Sequence, residues 1–404
     1  MRSSATETSA DTGRGPVRLK VAHVIHSLGP GGAESVLVEL AGVADTAGLE
    51  MTVIALSPVA RAVNAEALRE AGVRVVELDL PRWDLRAVRG TLRALRADRP
   101  DVVHTHLKHA DLVGAAAAAL LGLPVVSTLH IVEDAPAGAL GGWKRAAGLA
   151  ARRRFAARTV ALSTRQQEWY REFAGSAAAL VVLPNGVADP GAADAGERAR
   201  LRAELGAAGE RPLIVSASLM RPEKGHELLL DSVALLPADV DPVVALAGDG
   251  PLRAGLEARV SADPLLRDRV RFLGYRQDVP ALLAAADLVL HTSLADALPT
   301  TLMQALAVGV PVVATRVGGI PDIVGDEAGV LVDPAPAEIA AAVTRVLADP
   351  GLRAEMGSAG RRRFLTDFEA TGWAGRLRAL YDTVLTEREP HPRAPGQVPP
   401  GVTR

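Results

Sequence analysis

The loop T-S-L-A-D-A-L-P, residues 292–299, sets one carboxylate, Asp296, three residues ahead of a proline, Pro299. The apolar run before it, 288–291, is short, as a buried strand is, and from Thr300 to Val308 apolar residues recur at helical spacing. Proline suits the first position of a helix, so the spacing predicts a helix that opens here. The amides of Thr300, Thr301 and Leu302 would have no partner inside that helix and would face an anion favourably. A second buried strand, 311–314, follows. A strand, a polar loop and an amide-rich helix start together make a phosphate cradle at the carboxyl edge of a parallel sheet.

Other segments offer matching chemistry. S-A-S-L-M-R-P-E-K-G-H-E-L-L-L, residues 216–230, follows a strand and opens a helix, placing Lys224 near the helix start as a point charge for a diphosphate, with Arg221 just before it. H-V-I-H-S-L-G-P-G-G-A-E, residues 23–34, is a strand, a glycine turn and a helix start. Gly31 and Gly32 lack a Cβ and let a ligand approach the backbone, though an ordinary strand-to-helix turn reads the same way. The dinucleotide pattern G-x-G-x-x-G does not fit, because Gly29, Gly31 and Gly32 lie too close together. Residues 102–109, V-V-H-T-H-L-K-H, space three histidines as H-x-H-x-x-H. The first two end a strand and the third starts a helix, so convergence on a metal is not expected. No Asp-x-Asp ends a strand; Asp239 and Asp241 precede one.

Two domains position these groups. From Arg18 to Leu183, apolar runs at 20–26, 51–56, 73–78, 102–105, 124–129, 159–162 and 180–183 alternate with helical patterns. Such alternation implies parallel strands with crossover helices. A second series follows at 212–217, 243–247, 270–273, 288–291, 311–314 and 329–332. The fold class is therefore α/β, with two doubly wound, Rossmann-like domains. We delimit a disordered tail at 1–17, a first domain at 18–185, a turn-rich linker at 186–200, a second domain at 201–368, a last helix at 369–388 and a Pro/Gly-rich tail at 389–404.

Composition narrows the function classes. A chain of 404 residues suits two cores, and a net charge of -2 argues against a nucleic-acid footprint. There is no cysteine, which excludes disulfides, thiolate nucleophiles and Cys-based metal sites. Residues 1–17 are polar and lack a signal peptide's apolar stretch. The most apolar run, 112–126, is broken by Gly122 and Pro124 and reads as a buried helix, a turn and a strand. A cytoplasmic protein is expected. Arg82, Arg86, Arg89, Arg93 and Arg96 form a basic stripe beside Trp83. Trp143, Lys144, Arg145 and Arg152 to Arg154 form a second cationic stretch. Each is either a solvated face or a peripheral contact with an anionic membrane.

The segment 287–334 resembles the donor-site signature of the retaining glycosyltransferases of family 4, which have the two-domain GT-B fold. Their usual pattern is Glu, seven residues, Glu, then A-x-A-x-G-x-P-V-V-A-T. Here Asp296 and Gln304 take the two acidic positions, and Ala305, Leu306, Ala307, Gly309, Pro311, Val312, Val313, Ala314 and Thr315 match in register. The resemblance runs from about Val21 to Leu385. It implies a nucleotide diphosphate sugar as co-substrate, no further cofactor and no metal. It also implies a sugar, lipid-linked or small-molecule acceptor at the first domain, and a last helix that crosses back onto that domain.

By the same resemblance Lys224 meets the diphosphate, Gly31 and Gly32 lie against it, and Asp296 orients the sugar hydroxyls. Gln304 touches the ribose. Gly248 and the backbone of Gly274, Tyr275 and Arg276 line the nucleotide end, and His130 lies near the transferred sugar. The family's Arg five or six residues before the Lys is absent, those positions being Leu219 and Ser218, and Arg221 is the candidate replacement. A binder with a decayed donor site, or a related nucleotide-sugar enzyme such as an epimerase, remains open. A phosphorylase of this fold needs a cofactor lysine in the second domain, where Lys224 is the only one.

Overall fold

A computed structural model describes residues 18–29, 31–59, 63–130, 138–174, 179–192 and 194–388, with backbone alone at 138–145 and 173–174. Both predicted tails lie outside the described residues. The first sheet consists of β1 (Leu19–Ile25), β2 (Leu49–Ala55), β3 (Arg74–Glu77), β4 (Val102–His106), β5 (Val125–Thr128), β6 (Ala156–Ala161) and β7 (Leu180–Val182). Its order is β3-β2-β1-β4-β5-β6-β7, parallel throughout. The second sheet has β8 (Leu213–Ala217), β9 (Val243–Ala247), β10 (Val270–Gly274), β11 (Leu288–His291), β12 (Val312–Thr315) and β13 (Gly329–Val332). These lie in the order β10-β9-β8-β11-β12-β13, also parallel. The chain is thus a pair of doubly wound domains in the GT-B arrangement.

Both faces of each sheet are covered, which is why the strands read as continuous apolar runs. On β1, Ala22 and Val24 join one core while Val21 and Ile25 join another. His23 shares the second face, because alternate residues point the same way. That face is covered by the helix Gly32–Val43 and by the last helix, Ala370–Thr386. The strand order reverses between β1 and β4, and again between β8 and β11. In such sheets, ligands bind outside the carboxyl ends of strands at these reversals.

The chain leaves the first domain and returns to it along paired backbone. Val187 N–H donates to Phe368 O at 2.9 Å and Ala370 N–H to Val187 O at 3.1 Å. Arg361 clamps Asp189 through both guanidinium nitrogens at 2.8 and 2.6 Å. The last helix then contacts the helix Gly32–Val43, and its Trp373, Ala374, Leu377, Tyr381 and Val384 form one buried stripe. Full burial of a side chain of this size contributes about 1.5–3 kcal/mol, so the stripe fixes the helix firmly.

One boundary differs from the sequence reading. Residues 195–200, assigned to the linker, already belong to the helix Ala195–Leu205, because the Asp194 carboxylate accepts from Glu197 N–H and caps it at 2.7 Å. Among the described residues, no helix is long and apolar enough to cross a membrane.

Candidate functional site

The reversal between β8 and β11 is where two predicted loops meet. The chain after β8 makes a tight turn, Pro222–Lys224, and passes through Gly225 at φ 63°. A Cβ there would lie 2.0 Å from Thr292 O, so only glycine lets the turn sit against the loop after β11. Thr292 Oγ1 donates to Gly225 O at 3.0 Å and ties the two loops together. The result is a contact between residues 72 apart in sequence: Lys224 Nζ lies 2.5 Å from Asp296 Oδ2. The same oxygen faces His291 Nε2 at 3.3 Å and accepts from Ser293 Oγ at 3.2 Å.

From behind, the backbone of Asp296 rests on the glycine pair after β12. Gly319 N–H donates to Asp296 O at 3.0 Å, and a Cβ on Gly318 would sit 1.7 Å from that oxygen. Burial pushes the Asp296 carboxyl up, but the hydrogen bond from His291 and the charge of Lys224 outweigh it and bring it down to about 2. Asp296 is therefore ionised at neutral pH. Lys224 has three donors and uses one on Asp296, leaving others for an anion.

The neighbouring helix, Thr300–Ala307, differs from expectation in its first turn. Pro299 takes the position before the helix instead of its first residue, and Leu302 N–H is bonded to Pro299 O at 3.1 Å. The anion-facing amides therefore reduce to those of Thr300 and Thr301. Thr301 Oγ1 donates to Ala217 O at 2.9 Å, which seats the helix start on the end of β8. Thr300, Thr301 and Gln304 share the half-buried side, while Leu302, Met303, Ala305 and Leu306 are buried.

Gly248 N–H donates to Gly274 O at 2.7 Å, joining the ends of β9 and β10. Beyond β10, Tyr275 is 47% exposed. The Arg276 side chain is held by Asp278 at 2.7 and 2.5 Å, so only its backbone is placed as the sequence reading required. Arg221 is exposed, and its charge is felt by Glu34 of the first domain, whose carboxyl burial pushes up. Glu34 lies in the first turn of the helix Gly32–Val43, and a Cβ on Gly32 would meet nothing within 4 Å. Arg221 of the second domain and Glu34 of the first are thus within electrostatic reach of each other.

Four histidines line the reversal of the first sheet, and three of them escaped the sequence reading as a group. His104 and His106 point one way from β4, where His104 stands in register with His23 on β1. His109 goes elsewhere: Leu107 turns the chain at φ 73°, and His109 Nδ1 pairs with His26 Nδ1 at 3.1 Å. The H-x-H-x-x-H spacing therefore does not converge as a unit, but His23, His104 and His106 do, with ring nitrogens within 4.8 Å of one another.

All of those nitrogens but one, His23 Nε2, are occupied by hydrogen bonds. His23 Nδ1 faces His106 Nε2 at 3.0 Å, and His106 Nδ1 faces His130 Nε2 at 2.9 Å. His104 is bonded to Tyr381 Oη and Thr128 Oγ1, both at 2.7 Å. A metal would have to displace these partners. The signal that was available is the register of β1 with β4, which no motif on a single strand reveals. Burial lowers His23 and His130 to about 3 and His104 and His106 well below the usual histidine range, so all four are neutral at pH 7.

The structure thus brings Lys224, Asp296, Thr300 and Thr301 to one reversal and sets His130 beside His106 at the other. A pocket of about 500 Å³ lies to one side. Thr164, Arg165 and Glu168 face Arg316, Val317 and Asp322 across it, and the predicted donor residues are not in its wall. One expected surface cation is not at the surface: Arg152 is buried, 2.5 Å from Asp111 Oδ2 and 3.2 Å from Ser127 Oγ. Trp143, Lys144 and Arg145 have side chains outside the described residues.

Comparisons with known proteins bear on the family and the fold. The family described as Glycosyltransferase Family 4 matches residues 30–189, and Glycosyl transferases group 1 matches 197–363. The 2-deoxystreptamine glucosyltransferase of Streptomyces kanamyceticus is 32% identical over 75% of this chain and 82% of its own. The D-inositol 3-phosphate glycosyltransferase of Xylanimonas cellulosilytica is 32% identical over 77% of this chain and 79% of its own. A solved structure of Anabaena HepE in complex with UDP superposes with a TM-score of 0.79 at 24% identity, over 90% of this chain and 100% of that one. With the relatives aligned across both domains and the paired loops at the second reversal, the chain belongs to glycosyltransferase family 4 and is a glycosyltransferase of the GT-B fold.

Proposed function

We propose that this glycosyltransferase takes a sugar from a nucleotide diphosphate donor at the second domain and passes it, with retention of configuration, to an acceptor presented by the first. The observation that carries this reading is the Lys224–Asp296 pair, held by two laced loops beside the open end of the helix Thr300–Ala307. Departure of the nucleotide diphosphate develops negative charge, which the Lys224 ammonium and the Thr300 and Thr301 amides are placed to stabilise. Asp296 aims Lys224 and accepts from sugar hydroxyls. Gln304 meets the ribose, and the backbone at Gly248, Gly274, Tyr275 and Arg276 meets the base. His130, facing from the first sheet, contacts the sugar.

Retention rests on family membership. The UDP of the HepE complex supports a uridine nucleotide. Two relatives named for 2-deoxystreptamine and D-inositol 3-phosphate support a small polyhydroxylated ring as acceptor. We place the protein in the cytoplasm, with peripheral contact to anionic membrane. Exposed Arg82, Arg89, Arg93 and Arg96, with Leu85 at 88% exposure, support that contact, and sedimentation with anionic vesicles tests it.

The reading is tested by a nucleotide-release screen of UDP- and GDP-sugars against cyclitol, glycoside and lipid-linked acceptors. Turnover with at least one pair is expected, and titration calorimetry that finds no nucleotide binding at all would favour a decayed site. Activity is expected to persist in a strong chelator, because cations and amides already stand where a metal would neutralise the diphosphate. Loss of turnover that Mg²⁺ or Mn²⁺ restores would overturn this.

Arg221 gives a sharper test. If it replaces the missing phosphate arginine, Arg221→Ala is expected to weaken nucleoside diphosphate binding by about 1.5–3 kcal/mol while sparing the nucleoside. A change within about 0.5 kcal/mol for both ligands would leave the phosphates to Lys224 and the amides.

A further inference from the structure

Two buried side-chain nitrogens, His23 Nε2 and Trp373 Nε1, have no hydrogen-bond partner within the protein. Both residues line one small cavity of about 10 Å³, whose wall is otherwise mostly aliphatic. That volume is about one water molecule's, and a buried water needs two to four polar partners. From His23 a chain of imidazoles runs outward, through His106 to His130, with nitrogen–nitrogen distances of 3.0 and 2.9 Å. The inner end lies beneath the helix that returns from the second domain, and the outer end, His130, is half-buried.

The geometry points to a relay in which His23 and His106 are positioning residues, and a water held between His23 and Trp373 fixes His130 as the tautomer protonated at Nδ1. A neutral imidazole carries one N–H, so a ring that donates at one nitrogen accepts at the other. The direction of one bond therefore sets the whole chain. Trp373 Nε1–H can only donate, so the water accepts from it and has two hydrogens to place. Of the lining side chains, Asn185 and Thr128 are the only others with an oxygen, and His104 already uses both nitrogens.

With one hydrogen of the water given to His23 Nε2 and the other to Asn185 or Thr128, His23 carries its proton on Nδ1. That N–H donates to His106 Nε2, and His106 Nδ1–H donates to His130 Nε2. The remaining proton of His130 sits on Nδ1, the nitrogen that takes no other partner among the described residues. Burial keeps all three rings neutral at pH 7, so no extra proton can reverse the chain. His130 then offers a hydrogen-bond donor to a sugar oxygen. This last step rests on the proposed function; the relay itself does not.

Nitrogen-15 NMR of the unliganded full-length protein, with labelled histidine, reads the tautomers directly. His130 is expected to carry its proton on Nδ1, and a proton on Nε2 would overturn the relay. Trp373→Phe removes the obligate donor and keeps an aromatic ring in the stripe. It is expected to shift His130 toward the Nε2-protonated form and to lower turnover about tenfold at unchanged donor KM. His106→Gln, whose amide can face either way, is expected to do the same. Wild-type tautomer populations in both folded variants would sink the proposal. An Nδ1 proton on His130 in a protein without transferase activity would retain the relay and remove the functional reading. Activity with an Nε2 proton would do the reverse.

Discussion

Lowering the pH from 7 to 5.5 is expected to remove several kcal/mol of stability from the first domain. His23 and His130 are lowered to about 3 by burial, and His104 and His106 lie well below their usual range. The folded state therefore keeps these four rings neutral, whereas the unfolded chain protonates them near pH 6.5. More protons bind to the unfolded state, so stability rises with pH up to about 7 and falls below about 6.5. The loss continues until the native rings themselves protonate, near pH 3 for His23 and His130.

Each ring kept neutral in the folded state contributes about 1 kcal/mol of loss between pH 7 and 5.5. A domain stable by about 5–15 kcal/mol cannot absorb four of these comfortably. Glu34 and Glu39 oppose part of the effect, because burial raises both carboxyls and the folded state then binds their protons more tightly. Asp296, lowered to about 2, adds its own loss to the second domain only below about pH 4. Urea unfolding at the two pH values measures the difference, and hydrogen exchange of β1 and β4 amides separates this domain from the other. His104→Gln should reduce the slope by about one proton. Equal stability at pH 7 and 5.5 would show that water reaches these rings.

The sequence shows the fold more completely than the site. Each of the thirteen strands among the described residues lies under an apolar run, because a strand covered on both faces leaves a continuous signature. What a linear reading lacks is strand order. His23 lies 83 residues from His106, and only the pairing of β1 with β4 makes them neighbours. The same holds for Lys224 and Asp296, which the sequence assigns to separate tasks and the structure joins. Arg152 looked like part of a basic surface because Arg153 and Arg154 follow it, yet it turns inward to Asp111, an acid 41 residues away. At the start of the helix Thr300–Ala307 the departure is local: one backbone bond to Pro299 O removes Leu302 from the anion-facing set.

Lys224→Ala is expected to cost about tenfold to a thousandfold in turnover, the range for losing one group that stabilises developing charge. The ion pair changes what its partner should show. Lys224 is one of the influences holding the Asp296 carboxyl down, so its removal leaves a largely buried carboxylate with only His291 and Ser293. That carboxyl should then titrate higher and lose part of its grip on sugar hydroxyls. Conversely, Asp296→Ala frees the Lys224 ammonium from its 2.5 Å contact, so the cation loses its aim while nucleotide affinity stays nearly unchanged.

Residues that act as a unit give losses that do not multiply. The double variant is therefore expected to be about as slow as the worse single one. Lys224→Arg should recover only part of the rate, because the guanidinium fork is larger and shaped differently from an ammonium. Single-turnover rates and nucleotide affinities of the four proteins decide the matter. Losses that multiply would return the two residues to independent roles. An equal fall of nucleotide binding and turnover in Asp296→Ala would move that carboxylate from the sugar to the nucleotide. Full activity in Lys224→Ala would mean that the Thr300 and Thr301 amides carry the diphosphate by themselves.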